Sequence, residues 1–199
     1  MKILIASGPT REKLDPVRYL SNYSTGAMGK ALVWAAKKKG HRVTWIRCPE
    51  AAESARELEK TLWKNLPGQD ALVMAAAVCD VRPERVSGLK IKKGNLSSIR
   101  LVKNPDILAG LAKLKKKNQV FIGFGLESEN VLKNGTEKLK KKNLDAILLQ
   151  EITEKKTPFG DKKIDAVLLK KDGTRVQFKS QTKDRIAERI VREVERFLE

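Results

Sequence analysis

The segment from Gly8 to Ser24 has the length and the residue types of a ligand-binding loop. It joins the first predicted strand to the first predicted helix, which opens with the small-residue run STGAMG at 24–29. Ordered connections of this length are usually functional, and backbone N–H groups at a helix start bind anions. The run is not GxGxxG, so a nicotinamide cofactor is not indicated. We predict a phosphate site here, with the alternative that Ser24 only caps the helix.

Two further segments carry charged side chains that suit phosphate chemistry. Asp80 follows the apolar run DALVMAAAV, where a carboxylate can hold Mg²⁺ beside phosphates or simply form a turn. Alternation places Lys90 and Lys92 on one face of an extended segment, where they could compensate phosphate charge in a transition state. Lysines on a solvated edge strand would give the same pattern. These residues favour polyanionic substrates and leave the structural alternatives open.

The sequences NPDI at 104–107 and GFG at 123–125 are weaker candidates. A proline at an early helix position explains the first on structural grounds alone. Glycines on both sides of Phe124 would let its ring lie flat against a base, although a packed core phenylalanine fits equally well. Neither sequence by itself indicates a ligand.

The composition of the 199-residue chain excludes several kinds of chemistry. Two cysteines without a CxxC pair, and one histidine, leave no ligand set for zinc, haem or an iron–sulfur cluster. His41 also permits no Ser/His/Asp arrangement, and Cys79 has no nearby histidine to activate it. No apolar run reaches the roughly 18 residues of a membrane span, and no signal-peptide pattern opens the chain. We expect a soluble, cytoplasmic protein.

The formal net charge of +18 raises the alternative of a basic nucleic-acid-binding module. The basic residues are spread over both halves of the chain and form no arm or tail. Aromatic residues make up 5% of the chain, which is few for a surface that stacks bases. Polyanionic small substrates therefore explain the charge better than nucleic acid does.

Strand and helix patterns alternate, which predicts a doubly wound, mostly parallel α/β sheet. In such sheets ligands bind beyond the carboxyl ends of the strands. The KDGT turn at 171–174 predicts a β-hairpin, and the second helix is predicted to bury Leu58, Leu62 and Trp63 on one face. The predicted strands are 2–7, 41–46, 70–78, 119–124, 144–149, 166–170 and 175–178, and the predicted helices are 24–39, 51–65, 106–116, 130–142 and 184–198.

Taken in order, these motifs resemble those of one family, the phosphopantothenoylcysteine synthetases. The resemblance covers nearly the whole chain. Cys79 and Val81 stand where the family usually has alanine and tyrosine, and GFGLES stands in place of GFAAET. The matching segments are SGPTRE (7–12), DPVRYLSNYSTGAMG (15–29), AAAVCDVRP (75–83), KIKK (90–93), KNPDIL (103–108), GFGLES (123–128), KLKKKNLDAI (138–147) and FGDKKIDAVLL (159–169).

The resemblance implies a single phosphopantothenate–cysteine ligase domain over 1–199, Rossmann-like and homodimeric. A flexible basic loop at about 81–103 and a small extended lobe with the hairpin at about 165–179 would serve substrate closure and dimerisation. The ligase would join 4′-phosphopantothenate to L-cysteine in coenzyme A biosynthesis, using CTP and Mg²⁺. It would form an acyl-cytidylate and release pyrophosphate and CMP. No flavin is expected in this chain, and a separate flavin-dependent decarboxylase would be its partner.

The resemblance also implies roles for individual residues. Asn22 would hold the acyl-nucleotide intermediate and contact phosphopantothenate, and Lys90 would close over the nucleotide; these are the two catalytic candidates. Arg18 would reach the phosphopantothenate of the neighbouring subunit, and Asp80 would bind metal and nucleotide. The other phosphopantothenate-binding candidates are Ala76 and Ala77. The other nucleotide-binding candidates are Gly8, Ala75, Ala76, Pro105, Asp106, Ile107, Leu108, Phe124, Lys138 and Lys142.

Two other functions stay open beside the ligase. A nicotinamide-dependent Rossmann reductase predicts GxGxxG after the first strand and a YxxxK pair, and neither occurs. A nucleic-acid-binding module predicts clustered charge and a steep salt dependence of binding. CTP is expected over ATP from the bacterial type of the motifs, since no residue identifies the base.

Overall fold

The structure is a computed structural model that describes residues 1–95, 97–154, 157–160 and 162–199. The strands are β1 (Lys2–Pro9), β2 (Arg11–Lys13), β3 (Tyr19–Ser21), β4 (Arg42–Arg47), β5 (Ala71–Ala77), β6 (Val81–Pro83), β7 (Leu101–Lys103), β8 (Val120–Glu127), β9 (Ala146–Glu151), β10 (Ile164–Lys170) and β11 (Arg175–Gln181). The helices are α1 (Ala27–Lys38), α2 (Ala55–Asn65), α3 (Ile107–Ala112), α4 (Val131–Lys141) and α5 (Lys183–Leu198).

The main sheet contains seven strands in the order β11-β10-β9-β8-β5-β1-β4. Strands β4, β1, β5, β8 and β9 pair in parallel, whereas β10 and β11 form the predicted hairpin and pair antiparallel. The hairpin therefore extends the main sheet at one edge. The predicted Rossmann-like, mostly parallel α/β fold is confirmed.

Helices cover both faces of this sheet because successive residues of a strand point to opposite faces. In β1, Ile3 and Ile5 pack with α1 and α5, while Leu4 and Ala6 pack with α2, α3 and α4. Both faces are apolar, which explains why β1 reads as one continuous apolar run. The last helix, α5, buries Ile190 and Val194 fully against this sheet, while Phe197 is partly buried.

Two small antiparallel ribbons, β2–β3 and β6–β7, lie outside the main sheet. The first occupies the long connection after β1, and the second occupies the loop predicted at 81–103. Three-residue strands are too short to give a periodic signal, so sequence analysis did not find them. Within the quoted segments, Leu96 of the basic loop and Asp161 of the FGDKK motif lie outside the described residues.

Several predicted details differ from the structure. Helices α1 and α2 begin at Ala27 and Ala55 rather than at 24 and 51, since Gly26 and Ser54 are their N-cap residues. The third helix ends at Ala112, beyond which the N–H of Leu114 donates to the carbonyl of Leu111, three residues back, at 2.9 Å. Lys115 then pairs with Asp145, with 2.6 Å between Nζ and Oδ2. Trp63 is 46% exposed, because it lies over Gly110 of α3 at the rim of the core. Within the described part of the chain, no helix is long and apolar enough to cross a membrane.

Candidate functional site

A cavity of about 380 Å³ lies at the carboxyl ends of β5, β8 and β9, beside the start of α1. This is the edge at which doubly wound sheets bind ligands. A larger groove of about 1210 Å³ along α1 and α5 has no predicted site residue among its described lining residues. The smaller cavity brings together the predicted residues Asn22, Ala75, Ala76, Ala77, Asp80 and Phe124.

Glycines let the start of α1 approach the end of β1 closely. A Cβ at Gly29 would lie 1.9 Å from the Cβ of Ser7, so any side chain there would push the helix off the strand. Gly8 has a φ of +83°, and its Cβ would lie 2.1 Å from the carbonyl oxygen of Cys48. Gly8 therefore shapes the wall behind the cavity, although it does not line it.

The first turn of α1 retains uncapped backbone N–H groups. Gly26 is the N-cap residue and offers no side chain. Ser24 Oγ accepts from the N–H of Gly26 at 3.3 Å, and Thr25 Oγ1 accepts from the N–H of Ala27 at 3.4 Å. Ser24 is therefore not the helix cap, and the N–H groups deeper in the turn remain for an anion in the cavity.

Thr10 ties the site's loops to one another. Its backbone N–H donates to the carbonyl of Ala77 at 3.1 Å, and its Oγ1 accepts from the N–H of Cys79 at 2.9 Å. Asn22 Nδ2 donates to the same Ala77 carbonyl at 3.0 Å. The side-chain oxygen of Asn22 makes no hydrogen bond to the described residues. The nitrogen is thus held by the protein and the oxygen remains for a ligand.

Asn104 holds the loop that carries Asp80. Its backbone N–H donates to the carbonyl of Asp80 at 2.8 Å, and its Nδ2 donates to the carbonyl of Cys79 at 2.9 Å. Arg82 in turn donates to Asn104 Oδ1 at 3.1 Å. The asparagine of KNPDIL, which was not a predicted site residue, therefore positions Asp80 at the cavity.

Asp15 and Arg18 clamp the segment that contains Lys90. Asp15 Oδ2 accepts from the N–H of Ile91 at 3.2 Å, and Arg18 Nη2 donates to the Ile91 carbonyl at 2.8 Å. Arg18 also pairs with Asp15, whose side chain is inaccessible to solvent, and this hydrogen bond holds the pKa of that carboxyl well below its usual range. Lys90 itself is exposed and outside the cavity lining.

The remaining nucleotide candidates lie near one another on α3 and α4, outside the cavity lining. Asp106 is the N-cap of α3 and pairs with Lys142, with 3.0 Å between Oδ1 and Nζ. Lys138 Nζ lies 2.5 Å from Oε1 of Glu127. Pro105 is half-buried beside them. The side chains of Ile107 and Leu108 are buried in the core, which leaves the backbone of this segment for a ligand.

The thiol of Cys79 is not an activated nucleophile. Burial raises its pKa, against a smaller opposing effect of its hydrogen bond with Thr10. Burial likewise raises the pKa of Cys48 to about 12. A thiolate is required for nucleophilic attack, so both cysteines are structural.

The structure adds cavity residues that sequence analysis missed. They come from the segment after β9, from the end of β9 itself and from the start of α5: Gln150, Pro158, Phe159 and Lys183. The ring of Phe159 lies beside that of Tyr23, with 6.1 Å between centroids. Phe159 opens the quoted FGDKKIDAVLL motif, but no sequence signal places Gln150, Pro158 or Lys183 beside Asn22 or Phe124, because strand order brings them together.

Asp80 is a candidate ligand for a magnesium ion. Its carboxylate is exposed at the cavity edge and makes no hydrogen bond or ion pair with the described residues. The described part of the chain contains no cluster of three His, Cys, Asp or Glu side chains. Mg²⁺ is usually bound by one or two carboxylates together with substrate phosphates, so a lone aspartate suits it better than zinc.

This fold and this cavity define a class, the Rossmann-like α/β proteins that bind ligands at the carboxyl edge of a parallel sheet beside a helix N-terminus. The family model described as the C-terminal domain of the DNA/pantothenate metabolism flavoproteins matches residues 1–198. The chain belongs to this family.

Relatives of known description agree with this assignment. A cysteine/cysteine sulfinic acid decarboxylase from an unknown prokaryotic organism is 36% identical over 206 residues, covering 97% of this chain and 57% of that protein. The coenzyme A biosynthesis bifunctional protein CoaBC of Escherichia coli K12 is 36% identical over 191 residues, covering 88% of this chain and 47% of that protein. The chain thus spans about half the length of these relatives.

A solved structure from this group of relatives has the same fold. The crystal structure of the C-terminal domain of a coenzyme A biosynthesis bifunctional protein CoaBC aligns with a TM-score of 0.80 at 30% identity. The alignment covers 99% of this chain and 95% of that one. The similarity therefore extends over the whole domain.

Proposed function

We propose that this chain joins 4′-phosphopantothenate to L-cysteine, with CTP as co-substrate, to give 4′-phosphopantothenoylcysteine. One observation carries the proposal. Asn22, Asp80 and Phe124, from three segments far apart in sequence, line one cavity at the start of α1 in a chain of this family. Family membership favours the ligase over the reductase and the nucleic-acid-binding module.

The proposed chemistry has two steps. A carboxylate oxygen of phosphopantothenate attacks the α-phosphorus of CTP, so that an acyl-cytidylate forms and the bond to pyrophosphate breaks. The amine of cysteine then attacks the acyl carbon, loses a proton and displaces CMP. Both steps need alignment and charge compensation more than a protein nucleophile, because the substrate carboxyl is ionised at neutral pH.

The cavity, together with three lysines that lie outside its lining, would meet these requirements as follows. The uncapped N–H groups of α1 would hold a phosphate, and the free oxygen of Asn22 would orient the acyl-nucleotide. Lys90 would add positive charge when its segment closes over the nucleotide. Lys138 and Lys142 would exchange their carboxylate partners for the triphosphate. A magnesium ion bound by Asp80 and the nucleotide phosphates would neutralise negative charge at the reacting phosphate.

We also propose that the chain acts as a homodimer. Exposed apolar side chains are concentrated on the two ribbons and the segments beside them: Val17, Tyr19, Val86, Leu89, Ile99 and Leu101. The ribbons adjoin, since the N–H of Ser87 donates to the carbonyl of Leu14 at 3.0 Å. Exposed apolar side chains on adjoining elements are typical of a protein interface. A separate flavin-dependent decarboxylase and a cytoplasmic location stay predictions.

The test is pyrophosphate release by the purified protein with Mg²⁺ and 4′-phosphopantothenate. CTP and ATP are supplied in parallel, each with and without cysteine, and the acylated product is identified by mass spectrometry. We expect release with CTP that requires the acid, and conversion of cysteine to product.

Each outcome of this assay has a definite meaning. Release with ATP alone would keep the ligase and overturn the choice of nucleotide. No release with either nucleotide, from protein with a cooperative thermal unfolding transition, would overturn the proposed function.

A further inference from the structure

The side chain of Gln150 is buried at the cavity without a partner for its amide nitrogen. The residue is 8% exposed, and Nε2 has no hydrogen bond within the described part of the chain. Leaving a buried amide donor unpaired is unfavourable, because it loses its hydrogen bonds to water and gains none in return. Such a group in a native site usually has a partner outside the protein, either an ordered water or a ligand.

The position of Gln150 in its strand places the residue at the end of the sheet where the cavity lies. It is the second-to-last residue of β9 and pairs with Leu126 of β8 in the parallel register. Ala146 and Leu148 precede it on the same face and pack in the core with α1 and α5. An amide therefore takes the place of the next apolar side chain where that core reaches the cavity.

Other buried amides away from the cavity are used within the fold. Gln119, which is 6% exposed, donates from Nε2 to the carbonyl of Gln69 at 2.8 Å and accepts from the N–H of Lys116 at 3.0 Å. Gln69 has an unpartnered oxygen, but it lies just before β5, at the opposite edge of the sheet. Gln150 thus combines an unpartnered donor with a place on the cavity wall.

The surroundings of Gln150 indicate the kind of group that it would bind. Leu126, Pro158 and Phe159 line the same part of the cavity and contribute apolar surface. Gln150 and Pro158 also line a second hollow of about 300 Å³, so the residue lies between the two hollows. A neutral carbonyl oxygen within a long, partly apolar molecule suits this place, whereas an anion would bind at the start of α1.

On the basis of the proposed function, we propose that Gln150 binds the amide carbonyl of the phosphopantothenate substrate through Nε2. The oxo group of the nucleotide base is a second source of the same chemistry. Phosphopantothenate is an extended molecule that can reach from one hollow into the other, whereas the planar nucleotide base would occupy a single hollow. We therefore assign phosphopantothenate as the ligand.

The experiment measures KM for 4′-phosphopantothenate and for CTP, together with the melting temperature, in wild type and two variants. Gln150→Leu removes the amide and keeps its approximate size. Gln150→Glu keeps the length and replaces the donor by an acceptor that repels a carbonyl. Gln69→Leu is the matched control at the opposite edge of the sheet.

We expect Gln150→Leu to raise KM for the acid about threefold to tenfold, the loss of one neutral hydrogen bond, with KM for CTP unchanged. Gln150→Glu should raise it further, and Gln69→Leu should leave both KM values unchanged. The leucine variant without substrate should melt no lower than wild type, because leucine removes an unpaired buried donor.

Three results would overturn the assignment. The first is unchanged KM values in both Gln150 variants, and the second is a rise in KM for CTP alone. The third is a lower melting temperature for Gln150→Leu, which would show that the amide stabilises the fold. Wild-type activity in the same assay separates this inference from the proposed function. If wild type is inactive both fail, and if it is active with unchanged variants only the role of Gln150 fails.

Discussion

At the residue scale, hydrogen bonding divides the polar groups of the cavity into those held by the protein and those left for a ligand. Asn22 shows both within one side chain, because its nitrogen donates to Ala77 while its oxygen has no partner among the described residues. Asn104 holds the backbone carbonyl of Asp80, and the carboxylate of Asp80 has no hydrogen bond or ion pair with the described residues. Fixing one part of a residue so that another can bind is how a site is preorganised.

Asn22→Asp should impair catalysis while leaving the fold intact. The substitution removes the donor to Ala77 and brings a negative charge beside a carbonyl and the reacting anions. We expect turnover to fall about tenfold to hundredfold, or about 1.5–3 kcal/mol of transition-state stabilisation, with little change in melting temperature. Asn118→Asp, at an exposed loop position, is the control and should keep wild-type turnover. Wild-type turnover in Asn22→Asp would contradict the proposed role.

At the element scale, the position of the segment around Lys90 depends on a few contacts with the turn between β2 and β3. The Asp15–Arg18 pair belongs to the turn between β2 and β3, yet it binds both backbone groups of Ile91. Lys90 is the neighbouring residue, so the clamp limits where this lysine can move. A segment with few other contacts opens easily when such a clamp is lost.

Asp15→Asn should loosen the segment around Lys90. An amide at this position removes the charge that pairs with Arg18 and weakens the hold on the N–H of Ile91. We expect trypsin to cleave after Lys90, Lys92 and Lys93 several times faster than in wild type, measured by mass spectrometry at short digestion times. The control is Asp172→Asn, because Asp172 also accepts a backbone N–H, from Thr174 at 2.8 Å, but in the distant hairpin. Equal cleavage rates in the two variants would disprove the clamp.

At the scale of the whole molecule, acid should destabilise the protein through its paired carboxylates. The hydrogen bond with Lys39, with His41 as a further donor, lowers the pKa of Glu195 against a smaller effect of burial. For Glu193, burial would raise the pKa, but hydrogen bonding to Lys170 and the charges of Arg189 and Arg196 lower it overall. Each group whose pKa is lower in the folded state contributes stability above its unfolded pKa and loses it as pH falls.

We therefore expect the free energy of unfolding to fall as pH is lowered from neutral through the ordinary carboxyl values of 3.8 and 4.5. Urea denaturation over this range measures the effect. Glu195→Gln should show a shallower pH dependence than wild type, since it removes one of the shifted groups. A free energy of unfolding that rises with acidification would contradict these assignments.

The proposed dimer is also a property of the whole molecule. Val17, on the turn between β2 and β3, is 60% exposed. Val17→Asp places a charge on the apolar surface and should shift wild-type dimers toward monomers in sedimentation velocity. Leu114→Asp, at a 46% exposed apolar position beyond α3, should not change the sedimentation coefficient. A dimer that survives Val17→Asp unchanged would place the interface elsewhere.

The periodic spacing of apolar residues predicted the main sheet and its helices, because a long strand or helix must bury an apolar residue at each turn of its repeat. Strand β1 and helix α5 each bury a regular set of apolar residues, so their types could be predicted and their bounds came close. The ribbons β2–β3 and β6–β7 each contain three residues per strand, and the loops beside them are joined by contacts such as the hydrogen bond from the N–H of Cys79 to Thr10 Oγ1. Local sequence carries no signal for such contacts.

The sequence by itself determined the fold class and the family, because these follow from apolar patterning and from motifs read along the chain. It also identified some of the segments that line the cavity, such as those of Asn22, Asp80 and Phe124. The tertiary structure decided which side chains of those segments are free. It placed Lys138 and Lys142 in ion pairs, the side chains of Ile107 and Leu108 in the core, and Gln150 at the cavity. The physical reason is that a side chain's hydrogen bonds and burial depend on residues brought beside it by strand order, and strand order is a property of the whole sheet.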